Sequence, residues 1–289
     1  MADLVYMTKA TWTAITDAFR NKLGSTEMIK AGDIPSMLNS FQKYVDWISG
    51  NVTSVSDENV KSIRDYCFYQ FSELQEVYLP NATSVGDSCF YQCLKLQEVH
   101  LPNVTSVSSS CFCRCPKLQE VYLPNVTFIG STAFDSCGML SKINIQNVET
   151  LSSYALSNCH RITELYLPKA ITFSSSACEG MSGLKKVTLG NVKTIGANAF
   201  NGNINCEEID ISLNENVDGI YANAFYRNEK LSKLTIRGTA LIPLKNSNVL
   251  TGTPIANGTG KIYVDPSMVD TYKTATNWSK YASVIEAIS

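Results

Sequence analysis

Apolar residues recur along this chain in a fixed order that repeats every 22 residues. Six consecutive units keep this spacing, and a seventh unit, residues 206–230, carries three extra residues around Asn214 to Asn216, which we expect to lie in a loop. The six units start at Leu74, Leu96, Leu118, Leu140, Ile162 and Leu184, and an eighth starts at Leu231. Such a period is typical of a solenoid, in which each unit buries its apolar face only against its neighbours.

Each unit has two apolar positions separated by a polar one, such as Val77 and Leu79. This alternation predicts one short strand per unit, with one buried face. A proline such as Pro80 follows the strand in several units, and because proline has no N–H to donate, it ends the pairing and begins a turn. In the second half of the unit, a small residue precedes a large one, as in Cys89-Phe90, which predicts a turn or a short helical segment whose aromatic ring fills the coil.

The N-terminal residues differ from the repeats. Trp12, Ile15, Phe19 and Leu23 have helical spacing, and Asp33 is a candidate N-cap for a second helix that ends near residue 48. We therefore predict a helical cap or attachment segment over residues 1–50, leucine-rich repeats over residues 51–238 and a C-terminal cap over residues 239–289.

The repeated pattern LxxVxLPNVTSIGxxAFxxC resembles the BspA-like leucine-rich repeat family of bacterial and protist surface proteins over residues 51–238. The resemblance implies an α/β leucine-rich-repeat solenoid of about eight coils with parallel strands on one face, and it suggests a role in attachment. Residues 262–288 look like the closing segment of this family, a last strand followed by a helix and a Trp-containing turn. The N-terminal strings TWTAITDAFRNKLG and DIPSMLNSF resemble a helical module of prophage and tail proteins.

The charge balance narrows the choice of partner. The chain has 24 Lys and Arg against 26 Asp and Glu, a net charge of -2, so we expect neither nucleic acid nor membrane insertion. The N-terminus has no basic stretch followed by an apolar one, and no segment approaches about 18 uninterrupted apolar residues. We therefore expect no signal peptide and favour a virion-associated or extracellular surface location, while a cytoplasmic one stays open.

The ten cysteines follow the repeat. One column contains Cys93, Cys115, Cys137 and Cys159, and another contains Cys67, Cys89 and Cys111, with Ala at the same position of later units. Because Ala replaces Cys in later units, we expect this position to be a small buried slot. Neighbouring coils lie about 4.8 Å apart, which is too far for disulfides, since these prefer a Cβ separation of about 3.8 Å. We expect ladders of free thiols. Zinc at Cys111, Cys113 and Cys115 is the alternative, although zinc sites favour C-x2-C pairs. Cys113, off both ladders, is expected to be exposed and reactive.

Few residues suggest catalysis. His100 and His160 occupy different repeat positions, and the chain has no Gly-rich phosphate loop, HExxH or GxSxG motif. A Cys–His dyad stays open, because spatial neighbours need not be neighbours in sequence. Since every candidate cysteine has a structural explanation, we predict no enzyme, no metal and no cofactor. The glycosylation-like strings at Asn81, Asn103 and Asn125 are interpreted as by-products of the repeated turn.

Two columns of each strand should face away from the core, because side chains alternate across a strand. We predict a ligand-binding strand face composed of Glu76, Tyr78, Glu98, His100, Glu120, Tyr122, Asn144, Glu164 and Tyr166. Aromatic rings flanked by carboxylates suit sugar stacking or a protein with exposed basic groups. The alternative is that these residues only keep a strand face soluble.

The leading hypothesis is a non-enzymatic recognition or adhesion protein that binds a host-surface glycan or protein through this strand face. One form of this hypothesis is a tail component encoded by a phage or prophage, and its N-terminal helices would then contact virion proteins. The alternative is a structural scaffold of a virion or cell surface with no external ligand. An enzyme ranks third and would need a pocket that joins His100 to Glu98 or Glu120.

Overall fold

The computed structural model describes residues 52–289, in which short strands follow one another along a coiled chain. The strands are β1 (Ser54–Ser56), β2 (Ser62–Ile63), β3 (Glu76–Tyr78), β4 (Ser84–Val85), β5 (Glu98–His100), β6 (Ser106–Val107), β7 (Glu120–Tyr122), β8 (Phe128–Ile129), β9 (Lys142–Ile143), β10 (Thr150–Leu151), β11 (Glu164–Leu167), β12 (Thr172–Phe173), β13 (Lys186–Val192), β14 (Thr194–Ile195), β15 (Glu208–Leu213), β16 (Gly219–Ile220), β17 (Lys233–Arg237), β18 (Lys261–Val264) and β19 (Ile285–Ala287).

The strands pair in parallel with their counterparts in neighbouring coils, except between β9 and β11, where one sheet ends and the next begins. Val77 lies opposite Val99 and Val99 opposite Val121, so the 22-residue unit predicted from the sequence is confirmed. The first strands of the coils form sheets of five and six strands, which makes eleven coils rather than about eight. The second strands form a separate eight-stranded sheet, so the prediction of strands on one face only is wrong. Two-residue strands are too short to show an alternating pattern in the sequence.

The half of each coil that follows the second strand consists of turns. The N–H groups of Ser110, Phe112 and Arg114 donate to carbonyl groups of the next coil at 2.8 Å, while that of Cys113 closes a turn onto Ser110 at 3.1 Å. Ser110 and Arg114 adopt positive φ angles of 55° and 58°. Left-handed residues break an α-helix, and the inter-coil bonds use the N–H groups that a helix would need. The turn alternative is therefore correct, and the short helical segment is wrong.

A ladder of phenylalanine rings fills the interior of the first coils. Phe68, Phe90, Phe112 and Phe134 are almost fully buried, and each ring lies 5.1 Å from the next with nearly parallel planes. This confirms the prediction that an aromatic ring fills the coil. The insertion at residues 214–216 lies in the loop between β15 and β16, also as predicted.

The C-terminal residues extend the sheet. After β18 come a 3-10 helix (Pro266–Met268), the helix α1 (Val269–Thr274) and a second 3-10 helix (Ser279–Val284), and then β19 pairs in parallel with β18. The indole N–H of Trp278 is buried and donates to the carbonyl oxygen of Ile242 at 2.8 Å. Within residues 52–289, α1 is the only α-helix, so this part of the chain is a parallel β-solenoid rather than the predicted α/β fold. The predicted N-terminal helices lie outside the described residues.

The two strand-face sheets meet at Asn144. In earlier coils, the N–H groups of Leu79 and Leu101 donate to backbone carbonyls of the next strand. The N–H of Leu123 donates instead to the side-chain oxygen of Asn144 at 2.6 Å. Because this carboxamide takes the place of a backbone acceptor, β9 is only two residues long, and the first sheet ends with it.

Candidate functional site

Three aromatic side chains line up along the strand face, and we call them the aromatic stripe: Tyr78, His100 and Tyr122. They are neighbours because β3, β5 and β7 pair in exact register, which brings Tyr78 opposite His100 and His100 opposite Tyr122. The ring centroids are 6.1 Å and 5.9 Å apart, and the two tyrosines are 51% and 43% exposed. The stripe is therefore a continuous aromatic surface open to solvent.

A column of carboxylates, Glu76, Glu98 and Glu120, runs beside the aromatic stripe. Glu120 pairs with Lys142 at 3.0 Å, which raises the pKa of that lysine, and Glu98 lies 4.0 Å from the imidazole of His100. No Lys or Arg of residues 52–289 forms an ion pair with Glu76 or Glu98. Three carboxylates and one lysine make this surface acidic.

The structure brings together six of the nine predicted site residues. Asn144 is half-buried, and its oxygen accepts the Leu123 N–H, so it acts on the backbone at the end of the sheet. Glu164 and Tyr166 lie on β11 in the second sheet, where Tyr166 is 59% exposed. They share the orientation of the aromatic stripe but belong to a different sheet.

Beyond Asn144, where the second sheet begins, most charged side chains of the strand face form ion pairs with one another. Glu208 lies 2.7 Å from Lys233 and 3.7 Å from Lys186, and the hydrogen bond from Lys233 holds the pKa of that carboxyl below its usual range. Asp210 accepts bonds from two nitrogens of Arg237 at 2.8 and 2.9 Å. The charges of this half compensate one another, so its attraction for an outside ion is weaker than that of the acidic half.

The cysteine ladder at Cys93, Cys115, Cys137 and Cys159 is a ladder of hydrogen bonds. Each thiol donates to the backbone carbonyl of a residue 25 positions earlier, at distances of 3.0 to 3.3 Å. The side-chain nitrogen of Asn203 donates to the carbonyl of Cys178 in the same way. In five coils this slot therefore supplies a donor to a buried carbonyl, whereas Met181 fills it without one, and the repeat pattern alone does not reveal the donor role. All ten thiols are free.

Cys113 is buried, contrary to the prediction that it is exposed and reactive. Its exposed fraction is 6%, and burial, together with the nearby Asp135 carboxylate, raises the pKa of its thiol to about 11. A thiol with a raised pKa contains little of the reactive thiolate near neutral pH. Within residues 52–289, no three or more His, Cys, Asp or Glu side chains are placed to hold a metal ion, and no helix is long and apolar enough to cross a membrane.

The asparagines of the repeated turn bind the neighbouring coil. The side-chain nitrogens of Asn81, Asn103 and Asn125 donate to backbone carbonyls of the preceding coil at 2.7 to 2.9 Å. Each of these amides therefore has a structural partner, which supports the interpretation of the three glycosylation-like strings as turns.

Stacked parallel coils with leucine and valine at fixed positions and an exposed strand face define a leucine-rich-repeat solenoid. The family described as "BspA type leucine rich repeat region" matches residues 46–163, 83–207 and 149–247. These matches cover more than half of the chain, which therefore belongs to this family. They begin at residue 46 and give no support to the resemblance of the N-terminal strings to prophage and tail proteins.

The chain is similar to several solved structures at low identity. One is a leucine rich cell surface protein from Faecalibacterium prausnitzii, 17% identical, with a TM-score of 0.33 and coverage of 84% of this chain and 82% of that one. Another is a leucine-rich repeat protein from Bacteroides ovatus, 14% identical, with a TM-score of 0.27 and coverage of 83% and 93%. The pneumococcal vaccine antigen PcpA is 17% identical, with a TM-score of 0.33 and coverage of 81% and 77%. No curated protein sequence matches this chain.

Proposed function

We propose that this protein is a non-enzymatic recognition protein whose aromatic stripe binds a partner protein that presents basic groups. The observation that carries the proposal is that the exposed rings of Tyr78 and Tyr122 lie beside two carboxylates, Glu76 and Glu98, that form no ion pair with Lys or Arg of residues 52–289. Tyrosine is enriched among the residues that contribute most to protein binding, because it offers a large apolar surface and a polar tip.

Charge complementarity favours a basic partner. The acidic column would attract it from a distance and set its position along the coils, while the rings supply the contact area. The ion-paired half beyond Asn144 has no comparable surplus of charge. We therefore place the partner on the coils of β3, β5 and β7, with Glu164 and Tyr166 at the edge of its footprint.

The cellular setting belongs to the same proposal. A BspA-type repeat array suits attachment at a surface, and we propose a bacterial or virion surface, with residues 1–50 as the attachment segment. Two alternatives remain to be tested. In one, the stripe stacks on a host-surface glycan; in the other, the solenoid is a scaffold with no external ligand.

The triple substitution Tyr78→Ser, His100→Ser and Tyr122→Ser tests the proposal. The labelled full chain is applied to an array of recombinant extracellular proteins and to a glycan array. We expect binding to basic proteins that falls at least about 30-fold in the triple variant, because losing two or three central contacts costs about 2 kcal/mol or more. Binding should also weaken as salt rises.

A variant with Tyr66→Ser and Phe128→Ser is the matched control, since both rings are exposed outside the strand face. It should bind like the wild type. Binding to glycans alone, lost in the triple variant, would support the glycan alternative and contradict the proposal. Loss of self-assembly in the triple variant without any ligand on either array would support the scaffold.

A further inference from the structure

A groove runs along the turn side of the coils, away from the strand face. Its volume is about 880 Å³, and it extends from Thr132 to Arg227, four coils later. Two adjacent coils have a glycine in this groove: Gly180 and Gly202 adopt φ angles of 69° and 72°. At the equivalent left-handed position, Gly252 is also a glycine, whereas six other coils carry side chains, namely Gln70, Gln92, Arg114, Ser136, Asn158 and Arg227. A Cβ added at Gly202 would meet nothing within 4 Å, so the gap is a real space.

Paired amide and carboxyl groups line the groove. The side-chain nitrogen of Asn158 donates to Asp135 at 3.2 Å, and that of Asn201 donates to Glu179 at 3.0 Å. These bonds fix the side chains before any ligand arrives, which lowers the entropy cost of binding. The side-chain oxygen of Asn158 lies 2.8 Å from the point where a Gly180 Cβ would stand, so it occupies the space above Gly180 and offers an acceptor there, while the open gap lies at Gly202.

Aromatic and apolar surface completes the lining. Tyr154 is 46% exposed and Ile204 is 40% exposed, and Tyr226 lies nearer Arg227. The carboxylates of Asp135 and Glu179 outnumber the single guanidinium, so the groove does not suit an anionic polymer. Acceptors, amides and tyrosine rings together match a ligand with many hydroxyl groups and apolar ring faces.

The spacing of the coils along the groove also indicates the shape of its ligand. Successive coils lie about 4.8 Å apart, a step close to the length of one pyranose residue. A polar side chain recurs at this step along the groove, as Asp135, Ser157, Glu179 and Asn201. We infer that this groove binds a linear, uncharged oligosaccharide, with one sugar residue over each coil and the central residues beside Asn158 and above Gly202. This site is separate from the aromatic stripe and does not depend on the function proposed for it.

The substitution Gly202→Gln tests the site by filling it. The side chain is the one that Gln70 and Gln92 carry in the same backbone conformation, so the coil can accommodate it. Neutral hexasaccharides of the chitin, cellulose, mannan and amylose types are titrated into the full chain by calorimetry. We expect at least one of them to bind the wild type with a Kd below 1 mM and to lose at least tenfold in affinity in the variant.

Three further variants separate the explanations. Arg114→Gln places the same side chain at φ 58° outside the groove and should bind sugar normally, as should the triple variant of the aromatic stripe. Tyr226→Ala should bind at least fivefold more weakly, because it removes a ring and fills nothing. The inference is overturned if no neutral hexasaccharide binds below 1 mM, if only anionic sugars bind, or if Gly202→Gln binds like the wild type.

Discussion

Raising the pH above about 9 should unfold the cysteine-containing coils, because an unfolded thiol ionises near pH 8.5 and a buried one does not. Burial raises the pKa of eight thiols above the usual value: Cys89, Cys111, Cys113, Cys115, Cys137, Cys159, Cys178 and Cys206. Below the pKa of the unfolded thiols, both states hold these protons. Above it, the unfolded chain binds fewer protons than the folded one, so the free energy of unfolding falls by up to about 1.4 kcal/mol per pH unit for each thiol.

Eight such thiols together would lower the free energy of unfolding by up to about 11 kcal/mol per pH unit, comparable to the whole stability of a typical domain. Urea unfolding followed by circular dichroism between pH 7 and 10 measures this, and stopping there limits the ionisation of lysine. The control is Cys89→Ala with Cys111→Ala, since Ala133 occupies the same position in a later unit. The free energy of unfolding of this variant should fall less steeply with pH than that of the wild type, by about 2.8 kcal/mol per pH unit. Identical pH profiles for both proteins would show that the thiols are not the cause.

The strands of the first face could be predicted from the sequence because every coil obeys the same packing constraint. A residue such as Val77 must contact its counterpart Val99 one coil later, so the same type of residue returns at the same place. The period then gives the register of neighbouring strands without any further information. That register in turn predicted which exposed side chains, such as Tyr78 and His100, become neighbours.

The turn half could not be predicted in the same way. Ser110 and Arg114 are ordinary residues in a left-handed conformation that usually favours glycine, and nothing in their local sequence indicates it. The conformation is stabilised by hydrogen bonds to the next coil, which form only when the coils are stacked. The sequence of the turn half is therefore compatible with either a short helix or a series of turns.

Details of the sites depend on individual side chains rather than on the period. The position of Asn144 fits the outward column, yet its oxygen replaces a backbone acceptor, a role that depends on an orientation no pattern reveals. The groove had a visible signal, since Gly180 and Gly202 interrupt a column of longer side chains. That signal becomes meaningful only once the left-handed positions are known, because an alignment on apolar residues gives no weight to exposed glycines.

The phenylalanine ladder should be the most sensitive part of the apolar core. Phe112 has an exposed fraction of 0%, and its ring stacks between Phe90 and Phe134 at 5.1 Å on both sides. Replacing it with alanine removes buried apolar surface and two ring contacts, and the rigid coils above and below prevent collapse of the space. Later coils have Leu156 and Cys178 at this position, so the fold accepts a smaller residue where its neighbours are adapted to it.

Phe112→Ala should therefore lower the free energy of unfolding by about 3–5 kcal/mol, and Phe112→Leu by less than about 1.5 kcal/mol. Phe128→Ala is the control, because this ring is 41% exposed on the second sheet, and it should change stability by less than about 0.5 kcal/mol. Urea unfolding gives the total, and amide hydrogen exchange gives its location. Since each coil contacts only its neighbours, protection should fall most between residues 90 and 134 and least near β18. A uniform loss of protection along the chain would mean that the solenoid unfolds as one unit and that the ladder is not a local source of stability.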